Sequence, residues 1–150
     1  MSLAVQILVR PSISISYYAS ADAVSLFFGA RRRHTSIDTL WPSVVGDVTN
    51  LRFDLEGRLL SLEMLSARTR LLPALLASHD PIGEGLIDYS YHEGSQTVRF
   101  TFLPLSTKVT EYFASDKQIV LAMDESRRLA WIDILEPARI PAGFELRIES

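Results

Sequence analysis

The feature that most constrains this chain is that it repeats itself. Tyr17–Phe28 (YYASADAVSLFF) lies over Tyr91–Phe102 (YHEGSQTVRFTF) at an offset of 74 residues. Tyr17/Tyr91, Val24/Val98 and Phe28/Phe102 are identical, and Leu26 falls on Phe100. Upstream, Ile13 and Ile15 fall on Ile87 and Tyr89, so the apolar/polar alternation keeps the same phase in both copies. A second block, Leu51–Ala67, lies over Leu121–Pro137 at an offset of 70, with Leu51/Leu121, Asp54/Asp124, Arg58/Arg128, Leu59/Leu129 and Leu65/Leu135 identical. The offsets differ by four residues, a single length difference between the blocks, as a duplicated unit with one loop insertion would have. A chain of two such units folds the same local plan twice.

That plan is β-rich. Period-two alternation gives strands at about 12–18 and 23–28 joined by a tight turn at Ala19–Asp22. The second copy turns through 92–96, where Gly94 supplies permissive backbone. A second hairpin runs from 48–54 through Leu55-Glu56-Gly57 into 58–65. Its counterpart turns through Glu125-Ser126-Arg127. Leu60, Leu62 and Met64, with Ala130, Ile132 and Ile134, are expected on one face. Residues 66–77 have short-helix composition, with Pro73 required to start or break the helix. Residues 78–85 mark the boundary between units, and terminal strands are expected at about 3–9 and 143–149. The expected fold is mainly β (α+β with little helix): two pseudo-symmetric four-stranded hairpin-pair units, about 12–77 and 86–141, packed as one domain over 1–150. A four-stranded unit exposes one apolar face and is marginal alone, whereas two packed face to face bury both.

Composition narrows the chemistry. The chain has 150 residues, 47% of them hydrophobic, and a formal charge of −3, which does not point to a nucleic-acid binder. It contains no cysteine, excluding disulfides, thiolate catalysis and cysteine-ligated metals. The N-terminal segment lacks early positive charge, is interrupted by Gln6 and ends at Arg10, unlike a secretory signal. No stretch approaches the ~18 apolar residues of a membrane span. The expectation is a cytoplasmic protein without cofactor.

The residues Tyr17-x4-Asp22-Ala23-Val24-x-Leu26, followed by Asp54-x2-Gly57-Arg58-Leu59-Leu60-x-Leu62-Glu63-Met64-Leu65, resemble a small bacterial domain family of unknown function. Its pattern is a Tyr-Asp…Asp-Ala-Leu-Tyr hairpin, then Asp-x-x-Gly leading into Gly-Ile-Glu-Ile-Leu. Tyr18 stands where the early Asp is usual and Ser61 where Gly precedes Leu-Glu. The second copy departs further, with Gln96, Arg127 and Trp131 at the hairpin Asp, the turn Gly and the other Gly. The resemblance implies companionship with small toxin-like proteins, hence an immunity or antitoxin role.

Few residues suggest catalysis. Glu63 and Asp133 occupy matching positions, and a pseudo-two-fold axis that brought them together would make a carboxylate pair. The plainer reading places each on a solvent face, paired with an arginine. Asp54 and Asp124 precede hairpin turns, where an Asp side chain bonds the local backbone. His34, His79 and His92 have no metal-ligand spacing. No Gly-x-Ser-x-Gly or glycine-rich phosphate loop is present. The basic run Arg31-Arg32-Arg33 with Trp41 in the long loop of the first copy, and Tyr112 and Phe113 in the equivalent stretch of the second, form the candidate recognition surface.

The leading expectation is therefore a non-enzymatic protein-binding module of immunity or antitoxin type, with a protein partner rather than nucleic acid or membrane. One alternative is a small-ligand binder or enzyme using a cleft between the repeats, with Glu63 and Asp133 as its acids. Another is a structural, homo-oligomerising domain pairing through edge strands.

Overall fold

The computed structural model describes residues 5–9, 13–29, 33–40, 48–78, 82, 86–92 and 94–149. Two five-stranded antiparallel sheets pack against one shared core, each built from one unit of the repeat. The first contains β2 (Ile13–Tyr18), β3 (Ala23–Phe28), β4 (His34–Leu40), β5 (Thr49–Asp54) and β6 (Leu59–Met64), in the order β2-β3-β6-β5-β4. The second contains β7 (Asp88–His92), β8 (Thr97–Thr101), β9 (Val109–Ala114), β10 (Ile119–Asp124) and β11 (Leu129–Ile134), in the order β7-β8-β11-β10-β9. The terminal strands β1 (Val5–Val9) and β12 (Glu145–Glu149) pair with each other as a separate antiparallel ribbon, β1 running beside β7. The strands expected at the two termini thus satisfy one another.

The two sheets share register as well as strand order. Tyr17 pairs with Val24 and Tyr91 with Val98, while Leu51 pairs with Leu62 and Leu121 with Ile132. Each unit has one more strand than the sequence pattern suggested. The stretches carrying Ile37 and Leu40, and Tyr112 and Phe113, are the edge strands β4 and β9 rather than loops. Through their pairing with β5 and β10 these strands correspond at an offset of 75, so the four-residue difference resolves into two. The first copy has one residue fewer before β4 and five more between β4 and β5.

Turn chemistry is duplicated too. The Asp54 Oδ1 accepts the amides of Glu56 and Arg58, and the Asp124 Oδ1 those of Ser126 and Arg128, at 2.8–3.0 Å. These are local backbone roles of the kind the sequence assigned them. Gly57 has φ +82 and Arg127, its counterpart, φ +66. The second turn therefore forms without glycine but holds a bulky residue in a disfavoured region.

A β-bulge at Arg52/Phe53, repeated at Ala122/Met123, changes which side chains reach the core. Leu59 and Leu129 join Leu62, Met64, Ile132 and Ile134 in the shared core. Leu60 is buried as well, while Ala130 packs with Leu103 and Ala122 in a separate outer cluster. The expected Ala130–Ile132–Ile134 face is thus corrected at Ala130.

Between the sheets, Phe28 of the first unit stacks on Phe100 of the second at 5.3 Å, and Tyr89 and Phe144 close around Phe100. The connection between units carries α1 (Ala67–Arg70) and α2 (Pro73–Leu76), the latter begun by Pro73 as expected. Ala67, Leu71 and Leu75 cover the shared core, while Leu72 packs on the outer cluster of the second sheet. Arg139, in a short 3₁₀ turn (Pro137–Arg139), donates from Nη1 to the Gly57 carbonyl at 2.8 Å and ties the second unit to a turn of the first.

Candidate functional site

Because side chains alternate across a strand, residues paired with one another share a face. On the outward face of the first sheet one row reads Ser14, Phe27, Ser61, Arg52, Ile37, and the next Ser16, Ser25, Glu63, Asn50, Thr39. On the second sheet the equivalent rows read Asp88, Thr101, Trp131, Ala122, Tyr112, and Ser90, Arg99, Asp133, Val120, Ala114. The same scaffold thus presents two different surfaces.

Both faces carry an acid at the matching position, and the arginine that pairs with it stands on a different strand in each. In the first unit Arg52, on β5, donates from Nε to Glu63 at 2.7 Å, and its Nη1 lies 3.2 Å from His34 Nε2. In the second unit the position of Arg52 is Ala122, and Arg99 on β8 grips Asp133 with two bonds, at 2.7 and 2.9 Å. This fork-on-carboxylate geometry raises the Arg99 pKa above the ordinary arginine value, against the opposing effect of burial. Trp131, at the place of Ser61 in the first unit, packs against the cluster that contains Ala122, its cross-strand neighbour. The Arg99 guanidinium lies over the Trp131 indole, 4.2 Å from the ring centroid. Tyr112, at the end of the same row, is 62% exposed. The result is an aromatic and aliphatic column (Tyr112, Ala122, Trp131, with Val120 and Ala114 beside it) bordered by a fixed arginine. The first sheet has Ile37, Arg52, Ser61, Asn50 and Thr39 in the same places.

Glu63 and Asp133 belong to different sheets, and each lies on the face turned away from the shared core. Glu63 lines a shallow cleft of about 290 Å³ with Tyr18, Ser25 and Asn50, whereas Asp133 is closed off by Arg99. The space between the units, where a cleft would have had to lie, is occupied by the Phe28–Phe100 core. Three clefts, one at Tyr17 and Arg68, one at Tyr18 and Glu63 and one at Arg33 and Asp54, are lined by side chains of the first unit.

The predicted recognition residues separate. Tyr112 is on the outer face of β9, but Phe113 packs against the shared core, as strand alternation demands. Arg33 is exposed just before β4 and lines a small cleft with Asp54, Leu55 and Glu56. Arg31, Arg32, Trp41 and His79 lie outside the described residues. His34 and His92 are exposed, and no group of His, Asp and Glu suited to a metal ion occurs among the described residues. Among these residues no helix is long and apolar enough to cross a membrane. Trp131 and Arg99 were missed as site candidates. The signal for both was in the matched blocks, at the two positions where Ser61 and Ser25 stand against Trp and Arg.

Compared with protein-family models, curated proteins and solved structures, the chain matches none of them.

Proposed function

We propose that the chain is a protein-binding module whose contact surface is the outward face of the second sheet, centred on Tyr112 and Trp131 and bordered by Arg99. The observation that carries this is the divergence of the two outer faces on a shared scaffold. One copy keeps a polar, ion-paired surface, and the other presents Trp, Tyr and Arg, the residue types that dominate binding hot spots. A flat sheet face with a preformed arginine suits a partner that presents an apolar protein surface rather than a nucleic acid, for which the chain lacks a basic stripe. An immunity- or antitoxin-type role, in which this face occludes a partner, rests on the family resemblance. A cytoplasmic location is part of this proposal.

The test uses equivalent positions of the two units. Affinity capture with wild type and with Ile37→Glu is expected to retain the same stoichiometric partner, and Tyr112→Glu is expected to lose it. A partner held equally by Tyr112→Glu removes this face from the proposal. Sedimentation of the isolated chain distinguishes a foreign partner from a second copy. The former predicts the 16.8 kDa monomer, and a dimer abolished by Tyr112→Glu would make the partner the chain itself.

A further inference from the structure

We infer that the first unit holds a binding cleft for a small apolar carboxylic acid, separate from the sheet face proposed above and independent of it. Tyr17, Arg68, Pro73, Leu76 and Ala77 line an open cleft of about 390 Å³ between β2 and α2, within the ~300–1,000 Å³ usual for small-molecule sites. Its walls are almost wholly apolar: the Tyr17 ring, the proline, the leucine and the alanine. Tyr17 and Leu76 are braced from behind by the shared core. The Arg68 guanidinium belongs to this lining; its side chain is 66% exposed and is tied at Nε.

The bracing runs through Asp22. The Tyr17 hydroxyl donates to Asp22 Oδ1 at 2.9 Å, the Arg68 amide donates to the same oxygen at 3.0 Å, and Arg68 Nε donates to the Tyr17 hydroxyl at 2.9 Å. Asp22 approaches the guanidinium only to 3.9 Å, and on the Nε side. Among the described residues the two terminal nitrogens of Arg68 make no hydrogen bond, so the outer edge of the fork is free to take both oxygens of a carboxylate. An apolar wall ending in a positioned, bidentate cation selects a ligand with a hydrocarbon body and a single planar oxyanion.

The second unit shows that this arrangement is not required by the hairpin. Tyr91 matches Tyr17, but Gln96 stands for Asp22 and Ala138 for Arg68. The turn there still forms, with Gln96 at φ +53 against +46 for Asp22. The chain then passes through the 3₁₀ turn to β12 and has no counterpart of α2. Only the copy with the Tyr–Asp–Arg relay has helices to enclose a ligand beside it.

The test titrates the full chain with sodium octanoate, with octylamine and octyl phosphate as comparators, followed by calorimetry and amide NMR. Saturable one-to-one binding of octanoate is expected, with shifts centred on Tyr17, Arg68 and Leu76, and none with octylamine. Arg68→Gln is expected to weaken octanoate at least tenfold. Ala77→Phe, which fills the cleft from an exposed position, is expected to abolish binding with the thermal midpoint kept as the check on folding. Absence of saturable octanoate binding by the wild type, or binding that survives both substitutions, overturns the inference. Tighter binding of octyl phosphate overturns the carboxylate assignment.

Discussion

Single residues in the two copies do matched work, and each pair predicts a cost in both. Asp54 and Asp124 each accept two backbone amides from a buried or nearly buried side chain. Replacing either with Ala strands two donors and is expected to cost about 1–3 kcal/mol by urea unfolding, more at Asp124, whose Oδ2 also accepts from Arg128 Nε at 2.9 Å. Gly57→Ala is expected to be destabilising by roughly 1 kcal/mol or more. Its φ is +82, and the new Cβ would stand 2.5 Å from Arg139 Nη1, the donor that links the units. Arg99→Ala leaves Asp133, whose side chain is 13% exposed, without its counter-ion, an expected loss of about 2 kcal/mol. The sign of the pH dependence follows from the direction of the shift. The folded pKa of Arg99 is raised, so its contribution is fully present below the ordinary arginine value and is lost only as pH rises through the still higher folded one. Urea midpoints of wild type and Arg99→Ala are therefore expected to differ by the same amount at pH 7 and pH 9. A difference that shrinks at pH 9 would contradict this.

At the scale of elements, what was legible depended on burial. The β2–β3 and β5–β6 hairpins and their partners put every second side chain into the core, and that demand preserved Val24/Val98 and Leu51/Leu121 well enough to align. The edge strands β4 and β9 place few side chains in the core; their sequences, HTSIDTL and VTEYFA, share almost nothing and passed for loops. Packing holds them through Phe113 and Leu40, which lie against the shared core, and through Val109 on the outer cluster. The β-bulges were equally hidden, because a one-residue slip in pairing leaves the composition of a strand unchanged while moving Ala130 off the core face. In the connection, Leu75→Ala in α2 removes a buried side chain and is expected to cost about 2–4 kcal/mol in chemical unfolding, whereas Pro73→Ala at the exposed first helical position is expected to cost under ~1 kcal/mol.

The whole molecule is held by contacts that neither unit makes alone. Phe100 is fully buried and touches Phe28 from the other sheet as well as Tyr89 and Phe144. Phe100→Ala is expected to cost about 3–5 kcal/mol, and Phe28→Ala with Phe100→Ala to cost less than the sum of the two. Because one core serves both sheets, calorimetry should show a single transition whose calorimetric and van't Hoff enthalpies agree. Two separable transitions would mean that the units fold as independent beads.

The amino-acid sequence by itself determined the β-rich class, the two-unit plan, the paired hairpins and the turn aspartates. Each of these is fixed by local alternation or by an Asp bonding its own backbone, and such short-range physics is written residue by residue. Only the tertiary structure decided which sheet face each acid occupies, which arginine answers it, and that Trp131 packs against the cluster that contains Ala122. It also decided that Asp22 and Arg68, 46 positions apart, converge on Tyr17. Those outcomes depend on register across strands and on a helical turn folding back on a hairpin, and the cost of a wrong register appears only when the core is closed.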